Sequence, residues 1–169
     1  KAEQIGEKND TKILLTGILP TISKTQLRFE YMTPNPRYWM LNDMMKDVRG
    51  ADFELRLSGV DELAVLHDSV LFEACNTSFQ THLQIEPKDF VASYNWAQAI
   101  AGPVLGICCN SPLLLGRELW HETRIALFQQ SIDTRNSSYA LKEQQARVSF
   151  GESWAEGSIA NIYKNNLAH

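Results

Sequence analysis

Hydrophobic and polar positions alternate most strictly in residues 76–86 (NTSFQTHLQIE). Asn76, Ser78, Gln80, His82, Gln84 and Glu86 share one parity, while Thr77, Phe79, Thr81, Leu83 and Ile85 share the other. Successive side chains of a strand point to opposite faces, so a period of two predicts a half-buried strand with a wholly polar open face. Amides and an imidazole line that face where lysine, glutamate and threonine are usual, and such groups suit a polar ligand or a metal ion. Residues 69–85 as a whole predict one long bent strand, or two strands broken at Asn76. Upstream, residues 11–19 (TKILLTGIL), closed by Pro20, predict a buried strand. Leu27 and Phe29 alternate with Arg28 and Glu30. In residues 52–58, Phe53, Leu55 and Leu57 face inward and Glu54 and Arg56 outward, with a turn at Ser58 and Gly59. Residues 61–68 fit either a short helix or a loop.

Helical spacing appears in three places. Asn35 caps and Pro36 opens the first helix, where the missing proline N–H costs nothing. Tyr38, Leu41, Met45 and Val48 then recur on one face, and Gly50 stops it. The cluster Tyr38, Met40, Met44 and Met45 is expected in the core. After Pro87, Phe90, Tyr94, Ala97, Ala101, Val104 and Cys108 step by four and three, with a kink expected at Pro103 and an end at Asn110, Ser111 and Pro112. Residues 158–167 predict a last amphipathic helix on Ile159, Ile162, Tyr163 and Leu167. Residues 1–10 are polar and expected to be loose. Residues 138–147 are expected to form a loop, and 146–150 an edge strand.

Composition narrows the partners. The 169 residues are 44% hydrophobic and carry a net charge of -4, enough for one domain with a core but without the basic surface that general nucleic-acid binding needs. No apolar run reaches the ~20 residues of a membrane span, and no signal-peptide pattern is present. Cys75, Cys108 and Cys109 are odd in number and lack metal-site spacing, so buried free thiols in a reducing, cytoplasmic compartment are expected. There is no P-loop and no glycine-rich dinucleotide fingerprint.

The candidate chemistry lies in two stretches. Gln80 and His82, two positions apart, aim at one ligand. Residues 110–135 (NSPLLLGRELWHETRIALFQQSIDTR) gather Arg117, His121, Arg124 and Arg135. If helical, the first three share a face, and guanidinium forks suit carboxylate and phosphate oxygens. The plain alternative is a solvated face paired with Glu118 and Glu122. Arg37 and Asn110 are further candidates beside turns. Glu30, Glu54 and Glu73 are candidate metal carboxylates, each equally a surface residue of its strand.

NPRYWMLND, HDSVLFEACNTSFQTHLQIEP, AQAIAGPVLGICCNSPLLLGRELWHETRIALFQQSIDTR and RVSFGESW together resemble the glutamate–cysteine ligase type 2 family, over roughly residues 25–169. The likeness is nearest to bacterial members that form part of longer proteins. It implies an α+β, glutamine-synthetase-like fold, in which a curved antiparallel sheet carries the site on its concave face and helices pack on the other. It implies an ATP-dependent carboxylate–amine ligase that makes a γ-glutamyl amide through an acyl-phosphate, as in glutathione biosynthesis. The substrates are glutamate and an amine such as cysteine, and the cofactors ATP and Mg²⁺. By the same resemblance Arg124 and Arg37 hold the reacting carboxylate or phosphate. Gln80, Asn110, Arg117 and Arg135 contact substrate, and His82 and Glu73 stand near metal. No nucleic acid or membrane is implied, and a homo-oligomer is compatible with it. Many family members carry two histidines where this chain has Gln80 and His82, and their upstream Glu-x-Glu-like strand has no counterpart here. The expectation is therefore one domain, residues 1–169, or a fragment of a longer catalytic domain that does not catalyse alone. The competing class is a non-catalytic amino-acid-binding or protein-interaction module built on the same sheet.

Overall fold

A computed structural model describes residues 1–135, 146 and 148–167. The expected loop at 138–147 therefore lies outside the described residues apart from position 146. The first helix, α1 (Ala2–Lys8), replaces the loose start expected of residues 1–10. Its Gly6 is buried because the Thr11 carbonyl packs where a side chain would be. No strand follows. Residues 11–15 are exposed, and the chain dives inward only at Gly17 and Ile18. Short 3₁₀ turns, Lys24–Gln26 and Phe29–Tyr31, take the place of the alternating segment.

Helix α2 (Pro36–Arg49) forms where its local signals place it. The Asn35 side chain accepts from the Arg37 backbone N–H, and Gly50 ends the helix at φ 66°, a left-handed angle that glycine adopts without a Cβ clash. Its buried positions are Asn42 and Met45. Met40, Met44 and Val48 are exposed, so the expected core cluster reduces to Met45, packed with Val70, Phe29 and Ile132.

Strands β1 (Phe53–Ser58) and β2 (Glu62–His67) form an antiparallel hairpin that pairs Leu55 with Val65 and Leu57 with Leu63. The second strand occupies residues read as helix or loop. Its alternate burial shows the period of two that decides for a strand. Two backbone bonds of β1 are supplied by a side chain. The Arg56 N–H donates to Gln130 Oε1 (2.8 Å), and Gln130 Nε2 donates to the Arg56 carbonyl (2.9 Å). Gln130 lies on α5 (Thr123–Ser131), which follows α3 (Leu71–Ala74), α4 (Phe90–Ile107) and the small β3 (Leu113–Leu114) and β4 (Arg117–Glu118) pair. A last helix, α6 (Ala160–Leu167), agrees with the expected one.

The core joins Ile18, Leu55, Leu57, Phe72, Leu114, Leu119 and Leu127. Mixed helix and strand places the protein in the α+β class. Strand pairing among the described residues consists of two antiparallel two-stranded sheets and an isolated parallel bridge between Ser111 and Glu122. Residues 75–86 carry no strand, and both parities of 77–86 are exposed, Phe79 at 93%. Alternation specifies two faces but supplies no partner for the backbone, and here the ladder has none. Positions 146 and 148–150 likewise form no strand. No described helix is long and apolar enough to cross a membrane.

Candidate functional site

Two distant pieces of backbone meet at Gly17. Its N–H donates to the Asn110 carbonyl (3.0 Å), and its own carbonyl accepts from the Thr77 N–H (2.8 Å). A Cβ at Gly17 would stand 2.5 Å from Asn110 Oδ1 and 3.2 Å from Arg124 Cδ, so any larger residue would push both side chains from their places. Immediately after Asn110 the chain runs out and back. Leu115 and Gly116 turn the hairpin at positive φ, the Leu119 N–H bonds the Pro112 carbonyl (2.7 Å), and the Ser111 N–H bonds the His121 carbonyl (3.1 Å). That return brings Glu122 under Asn110, twelve residues away in sequence.

Glu122 is the centre of the site. Its side chain is only 1% exposed. One carboxylate oxygen accepts from the Asn110 backbone N–H (3.0 Å), and the other from Arg124 Nε (2.7 Å). Arg124 then reaches the Thr77 carbonyl through Nη1 (3.3 Å). A carboxylate leaving water needs such charge-assisted bonds to offset desolvation. In return it fixes the guanidinium against the start of residues 76–86. The rest of the guanidinium borders a cleft of about 360 Å³, lined by Asn76, Phe79, Ile125, Phe128, Val148 and Phe150 among others. Two amide groups here lack partners: Asn110 Oδ1, and both polar side-chain atoms of Asn76, are buried without a hydrogen bond.

The expected site residues are distributed unevenly around this centre. Arg124 and Asn110 come together through Glu122. Arg117 does not join them on a helix face, because it lies on β4, His121 lies in the turn, and only Arg124 is helical. Arg117, Arg37, Gln80 and His82 are exposed. Arg135 forms a close pair with Asp133 (2.6 Å), whose carbonyl also accepts from Arg49 (2.8 Å). Burial pushes the Asp133 carboxyl up, but the Arg135 hydrogen bonds and charge outweigh it and leave it below the ordinary range. Glu73 sits half-buried on α3, where desolvation raises its pKa. The described residues hold no group of three or more His, Cys, Asp or Glu side chains that could bind a metal ion; of the two expected near metal, His82 is exposed and Glu73 half-buried. The thiols also differ from expectation. All three are free, but only Cys75 is shielded, and burial, with Glu73 beside it, pushes that thiol up to about 11, whereas Cys108 and Cys109 are exposed.

Gly17 was not among the expected residues, Glu122 was expected only as a partner of the arginines on a solvated face, and Asn76 only as a position on the polar strand face. A glycine inside the apolar run TKILLTGIL was the available signal for Gly17, since glycine in a strand-like segment marks close backbone approach. Nothing local marks Glu122 as buried.

A family model described as glutamate-cysteine ligase family 2 matches residues 1–152. No curated protein and no solved structure gives a significant match to the chain.

Proposed function

The chain belongs to glutamate–cysteine ligase family 2, and from that premise we propose that it forms part of an ATP-dependent carboxylate–amine ligase acting on glutamate. In that reaction the γ-carboxylate takes the terminal phosphoryl group of ATP, and an amine then displaces phosphate to leave an amide. The protein's task is to hold two anions together while charge builds on the transferring group. The observation that carries the proposal is the Arg124 guanidinium, clamped by the buried Glu122 carboxylate at the edge of the cleft. A guanidinium is planar in itself, and fixing Nε sets the direction in which its outer N–H groups point, which suits a carboxylate or phosphoryl oxygen pair. The preformed clamp avoids the entropy of ordering a free arginine when substrate arrives.

Asn110 acts beside it. Its backbone is fixed from both sides by Gly17 and Glu122, and its side-chain Oδ1 lies buried against Gly17 without a hydrogen bond, so it shapes the floor beneath Arg124. Arg37, Gln80, Arg117 and Arg135 are assigned to substrate or phosphate, and His82 and Glu73 to the neighbourhood of Mg²⁺. A cytoplasmic setting accords with three free thiols.

The test is ADP release by the full-length parent, dependent on both glutamate and an amine. Arg124→Ala is expected to lower it at least tenfold, and a smaller loss removes Arg124 from the mechanism. The second reading, an amino-acid-binding module without catalysis, is favoured by one observation: the missing carboxylate cluster among the described residues. Calorimetry separates the two, since a ligase core binds both glutamate and Mg-ATP while a sensor binds only the amino acid.

A further inference from the structure

We infer that the cleft beside Arg124 takes the amine acceptor, and that this acceptor is an α-amino acid with an apolar side chain. The inference rests on the ligase reading for the word acceptor, but the binding it describes does not. Phe79, Ile125, Phe128, Val148 and Phe150 make the cleft predominantly hydrocarbon, and two of these are open to solvent, Phe79 at 93% and Phe150 at 81%. Exposed phenylalanines ringing a concavity lose water when an apolar group enters, and each methylene buried there adds to affinity. At about 360 Å³ the cleft has room for a single aliphatic or aromatic amino acid.

The polar groups at its edge define the other half of the ligand. Arg124 gives Nε to Glu122 and Nη1 to Thr77, which leaves Nη2 for the acceptor's carboxylate, while the guanidinium charge acts on both anions of the proposed reaction. The Asn76 side chain offers one acceptor and two donors, buried at the lining and bonded to nothing. An unsatisfied buried amide carries a desolvation penalty. A turn of that side chain into the cleft relieves the penalty if the ligand presents an ammonium to Oδ1 and a carboxylate oxygen to Nδ2. The α-carbon of an amino acid presents both. A simple alkylamine lacks the carboxylate, and a fatty acid lacks the ammonium.

The experiment is calorimetry on the full chain with L-leucine, L-phenylalanine, L-alanine, L-glutamate and isoamylamine, each with and without Mg-ATP. Leucine and phenylalanine are expected to bind at least tenfold tighter than alanine and isoamylamine. Phe128→Ser is expected to erase the preference over alanine. Asn76→Leu is expected to weaken every amino acid at least tenfold while the urea midpoint holds or rises. If Phe128→Ser misfolds, Phe150→Ser, on a largely exposed side chain, serves instead. Equal or absent binding of leucine and alanine under both conditions overturns the inference. Leucine binding without any amine-dependent ADP release by the parent leaves the site standing and sinks the ligase reading. ADP release that accepts cysteine and ignores leucine, with no leucine bound, does the reverse.

Discussion

Replacing Arg124 by alanine tests the clamp and the activity together, and the two effects can be separated. The substitution removes the only side-chain partner of the Glu122 carboxylate among the described residues, leaving the Asn110 backbone N–H. Breaking a buried ion pair by deleting one partner costs about 3–5 kcal/mol, because the other charge stays buried and unpaired. Arg124 retains 22% exposure of its side chain, so water enters the gap and the lower end of that range, about 3 kcal/mol, is expected. Loss of the Nη1 bond to the Thr77 carbonyl adds about 1 kcal/mol at most. Against a typical total of about 5–15 kcal/mol this is a large fraction. Adding Glu122→Gln removes the stranded charge while Oε1 still accepts from Asn110, so the double variant should recover at least about 1.5 kcal/mol relative to additivity. Urea unfolding of the wild type, both singles and the double at pH 7.5 gives the cycle. A cost below about 1 kcal/mol for Arg124→Ala, or strict additivity, refutes the buried-clamp account. The double variant also serves as the control for function. If it folds well and stays inactive, the guanidinium itself is what the reaction needs.

Three further outcomes are expected. Burial, helped by Arg49 and opposed by the Ser69 hydrogen bond, lowers the His67 pKa from 6.5 to about 4. Its contribution is then intact above pH 6.5 and is lost as pH falls towards about 4, because the unfolded chain binds the proton first; after discounting for water access this is about 2 kcal/mol. Urea midpoints of wild type and His67→Asn should converge over that window, and parallel curves would falsify the assignment. Gly59→Ala puts a Cβ 2.2 Å from the Leu119 carbonyl carbon and should cost about 2 kcal/mol or more, whereas Gly102→Ala, in open space on α4, should stabilise by about 0.5–1 kcal/mol. Alkylation by iodoacetamide at pH 8, followed by mass, should modify Cys108 and Cys109 more than tenfold faster than Cys75, whose buried thiol is pushed up to about 11; equal rates contradict the burial.

What was legible in the residues was what local chemistry decides. Helix α2 has a cap, a first-turn proline and a stop glycine within its own span, and its limits follow from them. The first strand of the hairpin was legible for the same reason, since its alternation matches a face that Leu55 and Leu57 bury. Its mate was not, because ELAVLH has too few polar positions to show a period without the burial of its neighbours. Residues 76–86 show the opposite failure, a perfect alternation with no strand beside it. The site divides along the same line. Arg124 and Asn110 were visible as residue types suited to anions and turns. Their common support, Glu122, became visible only when a hairpin folded twelve residues back on themselves.

The Gln130 amide also has a consequence for how this architecture could be enlarged. By satisfying both main-chain groups of Arg56, it blunts the outer margin of β1, so a foreign ribbon arriving there finds no free donor or acceptor at that position. The β2 margin is tended in the same way, since the Leu66 carbonyl accepts from Lys24 Nζ (3.1 Å), so both sides of the hairpin resist addition of a further strand at these positions.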